Sequence, residues 1–199
     1  MPGYKSSWTG TLANSDVLDF LQKQAIMRFS TTAERDTDLT GQLREGMFVY
    51  IDAAPTGLYL YTGSEWRPYL TEWNSYTPAW TNLTVGSATQ NASYRYIGGD
   101  LRMRGKITLA ADSTGNGSPI FQTVPNSETS DANGASGAGA FNDSGTGIYP
   151  MVIDIAGSAT QINFFHTASS GAGVLSSTSP ATIANGDIIR WDITVPLDY

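Results

Sequence analysis

The stretch GMFVYIDAAPTGLYLYTGSEWRPY, Gly46 to Tyr69, narrows the possible folds more than any other part of this chain. Strand-forming residues fill it, and both of its faces are apolar. Met47, Val49 and Ile51 alternate with Phe48 and Tyr50; after a turn at AAPTG, Leu58 and Leu60 alternate with Tyr59 and Tyr61. A second turn at TGSEW leads to Trp66 and Tyr69, so the spacing predicts a small β-meander over about 46–70. Successive side chains on a strand point to opposite sides, and here neither side is polar. A ribbon of two or three strands is marginal in water, and one with two bare apolar faces aggregates. Both faces need a cover.

One cover is expected from the segment before it. NSDVLDFLQKQAIMRF opens with Asn14, Ser15 and Asp16, each able to accept an amide at a helix N-terminus. Val17, Leu18, Leu21 and Ala25 then fall on one stripe at helical spacing, flanked by Phe20, Met27 and Phe29, which predicts an amphipathic helix over about 15–29. Such a helix is too short to be stable alone. In TTAERD, Thr31 and Glu34 have the spacing of a capping box, so a second helical turn is expected there. The helix covers one face of the ribbon, and nothing else in the first 70 residues covers the other. Another copy of the chain, or a scaffold protein, is the natural candidate. The residues expected to serve oligomerisation or docking are therefore Val17, Leu18, Leu21 and Ala25 on the helix, and Phe48, Tyr50, Tyr59 and Tyr61 on the ribbon.

From Trp73 the texture changes to short strands separated by Gly, Asn and Ser turns, without helical periodicity. Leu101, Met103, Ile107 and Leu109 face one way while Arg102, Arg104 and Lys106 face the other; Ile189, Trp191, Ile193 and Val195 likewise oppose Arg190 and Asp192. Half-buried strands of this kind belong to antiparallel sheets with one wet side. The stretch from Asn126 to Gly147 is nearly devoid of apolar residues and reads as a long loop, or as two loops around one short strand near Phe141. The expected fold is mainly β: a short N-terminal amphipathic helix and β-meander over 1–71, then a C-terminal antiparallel β-sandwich or jelly-roll-like domain over 72–199.

Composition excludes more than it identifies. Eighteen acidic against eleven basic residues give a net charge of −7, which disfavours nucleic acid as a partner. No cysteine is present, so disulfides, thiolate nucleophiles and zinc–thiolate sites are absent together. No apolar h-region opens the sequence and no apolar run approaches the ~18 residues of a bilayer span, so a soluble chain without a signal peptide is expected. His166 is the only histidine, and no G-x-S-x-G elbow accompanies it. Asp36 and Asp38 lack the run of oxygen ligands that a calcium loop needs, and the glycine-rich stretches do not join a strand to a helix. No catalytic residue, metal ligand or cofactor is expected.

One charge feature stands out. Arg95, Arg102, Arg104 and Lys106 fall within twelve positions of an otherwise acidic chain. They read either as a site for an anionic surface polymer, with Tyr94 and Tyr96 as stacking partners, or as a solvated sheet face whose cations pair with Asp and Glu.

Several of these segments carry a resemblance. RFSTTAERD, GMFVYIDAAPTGLYLYTGSEW, SYTPAWTNLTVG, YRYIGGDLRMRGKITL and NGDIIRWDITV are similar to patterns in phage tail-associated proteins, particularly minor tail or fibre-like proteins of phages infecting actinobacteria. The likeness covers most of the chain, and it departs from longer relatives in having no collagen-like or coiled-coil spacer near residues 70–76. It implies a structural, non-enzymatic virion protein that forms a homotrimer, docks to other tail or baseplate proteins, and contacts a host-surface glycan as a receptor-binding element. A capsid decoration protein or head fibre is the alternative the same patterns imply, and a glycan depolymerase a more distant one.

Overall fold

In the computed structural model, residues 26–168 and 171–198 are described. The chain is mainly β; the described residues hold one α-helix and one large mixed sheet that does not close into a barrel. The first strands are β1 (Met27–Phe29), β2 (Phe48–Ile51), β3 (Gly57–Tyr61), β4 (Trp66–Thr71), β5 (Asn74–Tyr76), β6 (Trp80–Thr81) and β7 (Leu83–Thr84). Then come β8 (Thr89–Ile97), β9 (Asp100–Thr108), β10 (Thr114–Gly115) and β11 (Phe121–Thr123). The last are β12 (Ala135–Asp143), β13 (Gly147–Ile155), β14 (Gln161–Ala168), β15 (Gly171–Val174) and β16 (Ile188–Val195). In space the large sheet runs β1-β2-β3-β4-β8-β9-β16-β12-β13-β14-β11-β6, with β5 beside β8 and β15 beside β14; β7 and β10 pair separately. Among the described strands only β1 and β2 run parallel.

The expected helix over about 15–29 is corrected at its end. Met27–Phe29 is a strand, paired in parallel with Val49–Ile51. The partner that decides this lies some twenty residues downstream, where helical periodicity cannot register it. Val17, Leu18, Leu21 and Ala25 lie outside the described residues. The second helical turn does form, as α1 (Thr32–Asp38). Thr31 Oγ1 caps it by accepting from the Glu34 N–H at 3.1 Å, while the Glu34 carboxylate reaches back to the Ser30 amide at 2.7 Å and hydroxyl at 2.6 Å. These bonds hold the Glu34 carboxyl below its ordinary pKa, the Ser30 hydroxyl contributing most.

Two hydrophobic clusters organise the molecule. The smaller joins Phe29, Leu39, Val49, Ile51 and Tyr59 on one side of the ribbon, with α1 and its C-terminal Leu39 as the cover. Arg35 closes that cover: it is buried, its guanidinium lies 4.8 Å above the Trp66 ring, and Asp36 pairs with it at 2.7 Å. The larger cluster fills the rest of the sheet with the inward residues of β8, β9, β12, β13, β14 and β16. At its centre Trp80 stacks on Phe164 (5.6 Å, 23°) and meets Trp191 edge-on (5.5 Å, 83°). Trp80 stands on the last strand in the order, yet its Nε1 donates to Gln90 Oε1 on β8 at 2.9 Å, so the sheet bends back over its own buried side. Gly105 makes room for the Trp191 indole directly opposite it; a Cβ there would overlap the ring and sit 2.8 Å from Ala92 Cβ.

Of the two readings of Asn126–Gly147, the single long loop is corrected and the strand near Phe141 forms, longer than expected. Ala135–Asp143 is a nine-residue strand between β13 and β16, with Phe141 fully buried. Gly137 and Gly139 carry no side chain to betray it; Ile153 and Ile193 occupy the space that side chains there would need. The ribbon joins the larger unit edge to edge. Leu70 on β4 pairs with Ile97 on β8, and the Gly99 N–H donates to the Tyr69 carbonyl at 3.1 Å.

Candidate functional site

Two surfaces collect the residues that the sequence singles out. The first is the side of the ribbon opposite α1. In register, Phe48 lies opposite Leu60, Tyr50 opposite Leu58, and Leu58 opposite Leu70. A bulge in β4 after Leu58 turns Tyr69 toward the same side, where its ring meets Phe48 edge-on at 5.3 Å. Tyr69 is 37% and Leu70 49% exposed. Ile26, next to β1 and 58% exposed, extends this face, and Arg28 borders it, its guanidinium 5.6 Å from the Tyr50 ring and paired with Asp52 at 2.8 Å. Phe48 and Tyr50 thus stand, half-buried, on this face. Tyr59 does not: it is buried beneath α1, its hydroxyl donating to the Pro55 carbonyl at 2.7 Å, because the strand alternation sends it to the covered side. Tyr61 follows it there, packed on Trp66 at 5.2 Å. Leu58, Leu60, Tyr69 and Leu70 are the ribbon residues that sequence reasoning left out.

The second surface is the outward side of β8, β9 and β16. Arg95 lies opposite Arg102, Ser93 opposite Arg104 and Asn91 opposite Lys106; on the far side of β9, Asp192 faces Arg104 and Arg190 faces Lys106. Two like charges directly across a strand pair repel. Arg102 is relieved by Asp192, which accepts from Nη2 at 3.0 Å and Nε at 3.3 Å and raises the arginine pKa. Arg95 and Arg104 are relieved by a ring: both guanidiniums sit over Trp73, at 4.7 and 4.0 Å. Lys106 and Arg190 make no ion pair among the described residues. The result is an electropositive strip with two carboxylates, Asp192 and Asp100, among five cations.

Tyr94 and Tyr96 are corrected as its stacking partners. Both are buried on the opposite side of β8, as the alternation with Arg95 requires. Their hydroxyls accept from Asn126 Nδ2 at 3.2 and 3.3 Å, and Tyr96 Oη donates to Glu128 Oε1 at 2.6 Å. Burial pushes the Tyr96 phenol far above its ordinary value. Trp73 takes the role they were expected to play. It lies between β4 and β5, outside any alternating strand, so no sequence signal marked it.

A third apolar stripe, also unmarked in sequence, runs along the outward side of β13 and β14, where Val152 pairs with Phe165 and Ile148 stands exposed. His166 is buried, with Nε2 2.8 Å from Ser179 Oγ and Nδ1 without a hydrogen-bond partner. The serine has a base within reach, but no carboxylate orients that base. Among the described residues no three His, Asp or Glu side chains gather closely enough to hold a metal ion, and no helix is long and apolar enough to cross a membrane.

Compared with protein-family models, with curated proteins and with solved structures, the chain matches none.

Proposed function

We propose that this protein is a structural component of a phage virion, a minor tail or fibre-like protein that assembles as a homotrimer. Its ribbon docks to neighbouring chains and its β-sandwich-like unit projects toward a host-surface glycan. The observation that carries the reading is the apolar ribbon face opposite α1, where Phe48, Tyr50, Leu58 and Leu60 are half-buried and Tyr69 and Leu70 exposed. α1 covers the other side, and a soluble monomer rarely leaves a contiguous apolar face of this kind in water. The resemblance of RFSTTAERD and the ribbon to phage tail proteins gives that face its partner class.

Two measurements test the reading. Mass in solution, followed over protein concentration, is expected to show a trimer; a clean monomer at all concentrations removes the assembly argument. Deleting residues 1–45 is expected to abolish incorporation into particles, and microscopy of labelled protein is expected to place it at the tail. Placement on the capsid shell instead would make it a decoration protein or head fibre, and release of reducing ends from host envelope by the purified chain would make it a depolymerase.

A further inference from the structure

Between the turn that leaves β5 and the 3-10 turn Pro125–Ser127 after β11 lies a half-open cleft of about 260 Å³. Tyr76, Thr77 and Ala79 line one side and Thr123, Pro125 and Ser127 the other. No charged side chain lines it. The hydroxyls of Thr77, Thr123 and Ser127 make no hydrogen bond among the described residues, so three donor–acceptor groups border the space unused.

The walls are held in place. Tyr76 Oη accepts from Gln122 Nε2 at 2.6 Å and from Trp191 Nε1 at 3.3 Å, and its ring meets Tyr94 edge-on at 5.8 Å. Asn126 and Ser127 both adopt left-handed backbone (φ 58 and 56), two non-glycine residues in succession. The Asn126 side chain, bonded to the Tyr94 and Tyr96 hydroxyls, pins that turn to the core. The Thr123 N–H donates to the Ala79 carbonyl at 3.0 Å and ties the two sides together. A strained turn persists where surrounding structure enforces it, and such turns concentrate at ligand sites.

We propose that this cleft binds one neutral, hydroxyl-rich sugar ring. Its volume falls just below the ~300 Å³ at which pockets for drug-sized ligands begin, which suits a single pyranose. Ring and proline surfaces pack on the apolar side of a sugar, and the lining hydroxyls match its hydroxyls; the Glu128 carboxylate, bonded to the Tyr96 hydroxyl beside Asn126, disfavours a phosphate or carboxylate. The inference deepens the host-surface reading and rests on it: the cleft supplies selectivity for a glycan unit, while the electropositive strip on β8, β9 and β16 supplies none. A half-open site for one ring binds in the millimolar range, on the order of what several sites on one particle convert into useful avidity.

Amide NMR of the full chain, titrated separately with glucose, galactose, mannose, rhamnose and N-acetylglucosamine to about 100 mM, tests it. At least one sugar is expected to give saturable shifts at Thr77, Ala79 and Thr123–Ser127. Ala79→Trp, at an exposed position, fills the cleft and is expected to abolish them. Ser127→Gly, which removes a hydroxyl and relaxes the positive φ, keeps the fold and weakens binding about threefold or more. No saturable shift with any of the five sugars, shifts unchanged in both variants, or shifts confined to Trp73 and Arg104 would each overturn the proposal. Absence of the protein from purified particles would overturn the virion reading instead, whatever the cleft binds.

Discussion

Replacing Leu70 with lysine is the sharpest perturbation of the assembly argument. Leu70 closes the row Tyr50–Leu58–Leu70 on the ribbon face opposite α1 and is 49% exposed in the single chain. Full burial of a leucine is worth about 1.5–3 kcal/mol, so about half of that, close to 1 kcal/mol, remains to be gained when a neighbour covers it. Three copies each lose that gain in a trimer, about 3 kcal/mol together, and each adds a buried ammonium. Since about 1.4 kcal/mol is tenfold in an equilibrium constant, Leu70→Lys is expected to lower the trimer association constant by at least ~100-fold. The single chain is expected to notice little, because changes at exposed positions stay within about 0.5 kcal/mol. Sedimentation equilibrium over a concentration series reads the first effect and a thermal melt reads the second. An unchanged mass with an unchanged melt would refute the reasoning. An unchanged mass with a melt lowered by several degrees would refute it differently, showing that the chain before Ile26 covers the face within one copy.

Gly105→Val drives a branched side chain into the Trp191 indole and is expected to cost more than the ~1–3 kcal/mol of ordinary overpacking, lowering Tm by several degrees; a Tm within a degree of the parent would show that β9 and β16 have slack there. Trp73→Ala removes the ring beneath two guanidiniums and is expected to cost about 1–2 kcal/mol, with a coupling to Arg104→Ala of about 0.5–1 kcal/mol in a double-mutant cycle and none to Lys106→Ala; equal coupling to both would remove the stacking account. At low pH, Glu34, depressed by Ser30, and Asp112, depressed by the Ser87 amide and hydroxyl, contribute stability that is complete above about pH 5 and lost as pH falls through their lowered values. At high pH, Tyr59, Tyr76 and Tyr96, each raised by burial, contribute stability that is complete below about pH 10 and lost as pH rises toward their folded values. Urea midpoints measured from acid to alkali should therefore fall at both ends, and a curve that stays level at either end contradicts the corresponding set.

What the sequence determined by itself is what a period of two or a local bond can carry. Leu101, Met103 and Ile107 inside against Arg102, Arg104 and Lys106 outside follow from alternation alone, as do the faces of Ile189–Val195. The Thr31 cap needs only Glu34 three residues on. The same alternation separates Arg95 from Tyr94 and Tyr96, so their assignment to one surface ignored a signal that was present. Other features depend on partners distant in the chain, and only the tertiary structure decided them. Met27–Phe29 is a strand because Val49–Ile51 lies beside it, and Ala135–Asp143 is one because β13 and β16 flank it, although its Gly, Ala and Ser residues show no pattern. Trp73 meets Arg95 and Arg104, and Thr77 and Ser127 come to border one cleft, only once strands distant in the chain have paired. Alternation is a property of the backbone at one place; a cleft or a stacked ring needs two places brought together, and packing free energy, not local propensity, brings them.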